Sequence, residues 1–324
     1  MQNRIEVSQP EIQQRSTSDE IDRRGMLKCM AWIGTGLVWS VSGGIATSTT
    51  FAGTSSEKSS FTFAQISDSH IGFSREPNKD VAATLQETVT KLNSLVTPPA
   101  FVLHTGDLTH LAKPEEFDNC AEILKGVRKS LVLYVPGEHD FDGEGNKEYL
   151  QRFGKGKKGL GWYSFDHNGV HFVGLVNVAN AKSGSGDGGL GVIGTEQLAW
   201  LKKDVASLSD STPIIVFAHV PLWSVYEKWG WGTTDAEQAL KLLSRFGSLT
   251  VLNGHIHQVM QKVEGNAVFH TARSTAFPQS QPGQGSPGPM RNLPAGKLKS
   301  ALGLSVVSYV ENKGSLAIVD STIG

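Results

Sequence analysis

The chain has 324 residues, 39% of them hydrophobic, enough for a sizeable core in one soluble α/β domain. Thirty basic against 31 acidic residues leave a formal net charge of −1, so the charge balance gives no case for binding a nucleic-acid polymer or a membrane surface. With Cys29 near the amino terminus and Cys120 as the other cysteine, a disulfide scaffold is excluded.

The polar stretch from Met1 to Ile21 ends at Asp22-Arg23-Arg24-Gly25-Met26-Leu27-Lys28, which resembles a twin-arginine export motif. A moderately apolar run from Met30 to Gly44 follows, too short and too polar for a membrane span. Ala46 to Thr54 is rich in small residues, with Ala52 suited to precede a cleavage site. The expectation is a signal peptide and linker over residues 1–55 and one domain over 56–324. The twin-arginine machinery would export that domain folded to the periplasm, and an uncleaved signal would leave it tethered to the membrane.

Strands and helices then alternate. Phe61–Ile66, Phe101–Leu103, Leu131–Val135, Ile214–Phe217 and Leu249–Leu252 are nearly continuous apolar runs bounded by Gly or Pro, as expected for strands buried on both faces. Helices are predicted over 80–95, 114–127 (with Pro near its start), 146–153, 195–208 and 235–246. Trp162 to Val176 reads as strands around an Asn168-Gly169 turn, and Ala181 to Gly191 as a glycine- and serine-rich loop. Four late strands are predicted at 259–263, 267–271, 304–310 and 315–319.

Five short clusters of oxygen and imidazole donors sit just past the first five of these strands. They are Asp68-Ser69-His70, Gly106-Asp107, Gly137-Glu138-His139-Asp140, His219 and Gly254-His255-Ile256-His257. In open α/β sheets, ligands gather outside the carboxyl ends of strands. Donors so far apart in sequence make chemical sense only as one folded site. Mixed carboxylate and imidazole suits Mn, Fe, Zn or Co, whereas all-oxygen sets suit Mg or Ca. In a two-metal centre one carboxylate must bridge the ions, and Asp107, alone after its glycine, is the natural bridge.

The ordered series D-x-H, G-D, G-N-H-[DE], H and G-H-x-H, running from about Phe61 to about Arg273, resembles the calcineurin-like metallophosphoesterase superfamily. Glu196-Gln197-Leu198-Ala199-Trp200-Leu201 is also similar to a helix before the fourth block in phosphodiesterases of that family. The resemblance implies a four-layer sandwich, two packed mixed β-sheets flanked by helices. It implies two metal ions of the Fe/Mn, Zn or Mn class: one held by Asp68, His70, Asp107 and His257, the other by Asp107, Glu138, His219 and His255. A metal-bound hydroxide would attack phosphorus in line, His139 would protonate the leaving oxygen, and Asp140 would orient that imidazole.

One ligand departs from the family pattern: Glu138 stands where Asn is usual. The extra carboxylate lowers Lewis acidity unless a trivalent ion offsets it, leaving either a retuned hydrolase or a metal-binding protein with little catalysis. His110, three residues past Asp107, is a candidate substrate contact or extra ligand, or else a solvated loop residue. Arg75 and Arg273 are candidate phosphate contacts, while His104, His167, His171 and His270 read as structural. The aromatic loop with Trp223, Tyr226, Trp229 and Trp231 could stack a nucleobase or form a packed lid; Pro278 to Pro294 reads as a lid or linker. The expected substrate is a small phosphate ester, most simply a diester, with a phosphomonoester as the alternative.

Overall fold

The computed structural model describes residues 39–42, 45–48, 60–141, 146–178, 190–294, 296–310 and 315–324. The twin-arginine motif and most of the glycine- and serine-rich loop lie outside them. Strands β1 (Trp39–Ser42) and β2 (Ile45–Ser48) pair antiparallel as a two-stranded sheet of their own.

A five-stranded sheet comprises β3 (Phe61–Ile66), β4 (Phe101–His104), β5 (Leu131–Tyr134), β12 (Gly303–Val310) and β13 (Ser315–Thr322), in the order β13-β12-β3-β4-β5. A six-stranded sheet comprises β6 (Tyr163–His167), β7 (Val170–Gly174), β8 (Ile214–Phe217), β9 (Leu249–Asn253), β10 (Gln261–Glu264) and β11 (Ala267–Thr271), in the order β10-β11-β9-β8-β7-β6. Both are mixed. Strands β3, β4 and β5 run parallel, as do β7, β8, β9 and β11, so the carboxyl ends within each set share one edge.

Side-chain alternation assigns each strand's two faces. Phe61, Phe63, Phe101 and Leu103 from one sheet meet Phe172, Ile215, Phe217 and Leu252 from the other, forming the core between the sheets. Ala64, Ile66 and Val102 point the opposite way, toward helices α1 (Val81–Asn93) and α2 (Pro114–Leu124). Ile214, Val216, Leu249 and Val251 likewise pack outward against helices α4 (Thr195–Asp204) and α5 (Ala236–Leu243). The result is the four-layer arrangement helix–sheet–sheet–helix. Burial on both faces explains the uninterrupted apolar runs, each fully buried Phe contributing about 1.5–3 kcal/mol.

Local signals set the helix starts. Asp80 Oδ1 accepts the Ala83 amide at 2.9 Å at the head of α1, and Val81, Leu85, Val89 and Leu92 form its buried stripe. Pro114 opens α2, and helix α3 (Lys147–Phe153) follows the third ligand loop. Helices α1, α2, α4 and α5 end two to four residues earlier than the sequence suggests, because their last apolar residues already belong to the turns that lead back into the sheets. The Asn168-Gly169 hairpin is as expected: both residues take positive φ, 46° and 78°, the two-residue turn that matches strand twist. Helix α6 (Leu298–Ala301) precedes β12.

Candidate metal centre

Every cluster begins within three residues of the carboxyl end of β3, β4, β5, β8 or β9. The loops that carry them are tightly bent. Asp68, His70, Asp107, His255 and His257 all have positive φ, between 42° and 70°. Such backbone costs of order 1–3 kcal/mol per non-glycine residue and persists only where surrounding contacts impose it. Here the Asp68 amide donates to Gly106 O at 3.0 Å, His70 N to Asp107 O at 2.9 Å and Gly254 N to His219 O at 3.0 Å, stitching the loops to one another. A Cβ on Gly137 would collide with the Asp107 carboxylate, so only glycine lets these two loops approach.

These bends bring the side chains together. Asp107 Oδ2 lies 3.4 Å from His70 Nε2 and 3.3 Å from His219 Nε2, between the two halves of the cluster. On one side Asp68 Oδ1 is 3.2 Å from His257 Nε2, which is itself 3.2 Å from His70 Nε2. On the other, Glu138 reaches His219 Nε2 at 2.9 Å and His255 Nδ1 at 2.8 Å. Asp68, His70 and His257 form one group with ligand atoms close enough for a single ion, and Glu138, His219 and His255 form another. Asp107 joins groups on both sides, once with Asp68 and His219 and once with Glu138 and His139.

The donor set fits a pair of ions. Glu138 Oε2, His219 Nε2 and both nitrogens of His255 are buried and close to one another, yet none completes a hydrogen bond. Buried polar atoms left in that condition are costly unless something between them accepts their lone pairs. The opposite nitrogens of the imidazoles are anchored: His219 Nδ1 donates to Thr105 O at 2.7 Å and His257 Nδ1 to Phe277 O at 2.6 Å. Such anchoring fixes the tautomer that turns the lone pair inward.

Electrostatics follow from this crowding. Burial works against charge on His219, but Asp107 and Glu138 outweigh it and hold the imidazole well above its ordinary pKa. Burial likewise opposes ionisation of Glu138 and Asp68. His255 and His219 nevertheless drive Glu138 well below the carboxylate range, and His257 chiefly draws Asp68 down to about 2. His70 moves the other way, lowered by burial and then by His139, His257 and His110. The raised proton affinity of His219 thus offsets its carboxylate neighbours, a role that bound cations would take over.

Asp140 corrects an expectation. Its carboxylate does not bond the His139 ring; it accepts Leu108 N at 3.2 Å, Thr109 N at 2.9 Å, Thr109 Oγ1 at 2.8 Å and Gly137 N at 2.9 Å. Burial and the neighbouring Asp107 push it up to about 7. From the end of the three-residue 3₁₀ turn Glu138–Asp140 it ties the Asp107 loop to the Glu138 loop, accepting main-chain amides from both. His139 is instead oriented through Nδ1, which donates to His110 O at 2.8 Å.

The other candidates divide. His110 joins the cluster, its Nδ1 3.4 Å from His70 Nδ1 and its ring stacked 5.0 Å from His139. Burial, then His139, lowers it to about 4. Arg75 is exposed on the loop before α1, pairing with Asn78. Arg273 is committed elsewhere: it donates to Ala301 O at 3.4 Å, close to Asp320, because the chain after β11 turns it toward β12. His104 is buried against Ser69 Oγ at 2.8 Å, and burial holds it at about 3. His270 bonds Asp320 at 3.0 Å, while His167 packs edge-on against Phe61. In the aromatic loop Trp229 and Trp231 are 9% and 1% exposed and pack on Ile256, buttressing the last ligand loop with no free face of their own for a base, while Trp223 and Tyr226 stay half-buried.

Apart from Arg273, the sequence reading passed over Ala272 to Phe277. Phe277 stacks on His70 at 4.8 Å, and Ser274 Oγ donates to Asp68 O at 2.8 Å. The available signal was that β11 runs parallel to β9, so its carboxyl end joins the same edge. Beyond it, Gln279 Nε2 donates to His255 O at 2.8 Å, so the segment read as a lid or linker is tied to the site.

Comparison with known proteins agrees with the site. The family model for calcineurin-like phosphoesterases matches residues 61–259. A glycerophosphodiester phosphodiesterase of Enterobacter lignolyticus is 28% identical over 225 residues, covering 65% of this chain and 76% of that protein. A probable cyclic nucleotide phosphodiesterase of Rhodopseudomonas palustris is 26% identical, covering 61% and 71%. Among solved structures, a dimetal phosphatase from Danio rerio shares the fold with a TM-score of 0.58 at 16% identity, over 80% of this chain and 98% of that one.

Proposed function

As the chain belongs to the calcineurin-like phosphoesterase family and is a metal-dependent phosphoester hydrolase, we propose that its substrates are small phosphate diesters. The observation that carries this reading is Asp107 Oδ2 between His70 and His219, with Glu138 adding a third carboxylate beside Asp68 and Asp107. A diester is a monoanion and a monoester is largely a dianion near neutral pH. Each added carboxylate in a low-dielectric site penalises the dianion more. The two relatives, one named for glycerophosphodiesters and one for cyclic nucleotides, support the same class.

Asp68, His70 and His257 would hold one ion and Glu138, His219 and His255 the other, with Asp107 shared. When bound, such a pair supplies Lewis acidity toward the phosphoryl group and acidifies water. The third carboxylate favours a trivalent ion at one position. His139, its Nδ1 proton donated to His110 O, keeps Nε2 for the leaving alkoxide, and Asp107 and Glu138 outweigh burial to favour its protonated form. The test compares bis-p-nitrophenyl phosphate with p-nitrophenyl phosphate in wild type and Glu138→Asn, with metal content measured in both. Diester preference in wild type that narrows in the variant is expected. Monoester preference in wild type would refute the reading, and no turnover with two ions bound would make the chain a binding protein.

Export in the folded state is part of the proposal, supported by Arg23-Arg24 and the apolar run behind them. Fractionation of an Arg23→Lys, Arg24→Lys variant, expected to stay in the cytoplasm, tests it.

A further inference from the structure

Three of the imidazoles around the cluster share a pattern from which His70 departs, as does His255, whose Nδ1 faces Glu138 Oε1 at 2.8 Å. His219, His257 and His139 each donate Nδ1–H to a main-chain carbonyl, at 2.7, 2.6 and 2.8 Å. His70 Nδ1 instead faces another imidazole, His110 Nδ1, at 3.4 Å. The His70 Nε2 atom points the other way, 3.4 Å from Asp107 Oδ2 and 3.2 Å from His257 Nε2. A histidine that gives Nε2 to a metal must carry its proton on Nδ1.

We propose that His110 is a positioning residue of the centre, its Nδ1 accepting the His70 Nδ1–H in place of a carbonyl and so holding the tautomer and ring angle that present Nε2. His110 is itself held firmly. Its amide donates to Ile71 O at 2.9 Å and to Glu116 Oε2 at 3.2 Å. Its ring lies between Phe73, edge-on at 5.2 Å, and His139, nearly parallel at 15°. One residue therefore sets two others, His70 through its side chain and His139 through its carbonyl. A side-chain substitution removes only the first link.

That separation yields a selective test. The proposal rests on the two-ion reading of the site but not on the diester class, and metal binding is measured without substrate. His110→Phe keeps the ring between Phe73 and His139 and deletes the acceptor; His110→Asn restores an acceptor near the same place. Calorimetric titration of metal-free full-length protein with Zn²⁺ or Mn²⁺ should show one of two binding events weakened about 10–100-fold in the Phe variant. The other event should be unchanged, and the Asn variant should lie within about threefold of wild type, since it keeps the second-shell acceptor. Two wild-type binding events in the Phe variant, equal weakening of both, or an Asn variant as weak as Phe would each overturn the proposal. Should the Phe variant fail to fold, long-range ¹H–¹⁵N spectra of zinc-loaded wild type decide the matter. A His70 tautomer protonated on Nε2 is incompatible with it; one protonated on Nδ1 agrees.

Discussion

Imidazoles meet carboxylates in two regions of this molecule, with opposite consequences. On β7, His171 spends both ring nitrogens on acids, Nδ1 on Asp166 at 2.7 Å and Nε2 on Asp204 at 3.0 Å, while Asp204 also accepts Ser164 Oγ at 2.7 Å. Nothing is left to offer a ligand. At the candidate metal centre, His219 and His257 each give one nitrogen to a backbone carbonyl and keep the other for the cluster, where Glu138 Oε2, His219 Nε2 and both ring nitrogens of His255 complete no hydrogen bond. The residue types are the same. What separates a structural knot from a ligand set is whether the lone pairs are already used.

The comparison is broken most directly at Asp107. Asp107→Asn removes the anion that faces both halves of the cluster, and hydrolysis should fall roughly 10³-fold, several kcal/mol of barrier, together with metal content. Loss of activity with both ions retained would deny the bridging role. His139→Gln should lower kcat by about 10²–10⁴-fold with metal content unchanged. The loss should be smaller for a nitrophenyl ester than for an alkyl one, because a good leaving group needs no acid; equal losses would take His139 out of that role.

Asp140→Asn tests a middle case, a carboxylate near the site whose oxygens are all committed to loop donors. Replacing one accepting oxygen with an amide should cost about 1–3 kcal/mol, read as a lower unfolding midpoint, and reduce kcat less than His139→Gln does. The smallest effect on chemistry belongs to His171→Leu, which should leave kcat unchanged. Burial works against charge on His171, but Asp204 and Asp166 outweigh it and raise its pKa above 6.5. The native state therefore holds the proton more tightly than the unfolded chain. The stabilisation is complete below pH 6.5 and fades as pH rises through the raised value. The variant should be about 1–3 kcal/mol less stable at pH 5.5 and closer to wild type at pH 9. A deficit that grows with pH would contradict that sign.

Much of this was legible in the chain itself. Both sheets' buried strands, the Asn168-Gly169 turn and the gathering of all seven candidate ligands at one edge follow from apolar runs, turn chemistry and the donors placed after them. Those signals are local: a strand buried on both faces must be apolar along its length, and a ligand just past its end inherits its position. The partner of each polar atom was not local. Asp140 turned to the Asp107 loop rather than to the neighbouring ring, Arg273 turned toward Ala301, and Phe277 arrived beside His70 from a distant strand. Sequence spacing states which groups are present at an edge. Only the packing of two sheets decides which lone pairs find a donor there and which stay open for a cation.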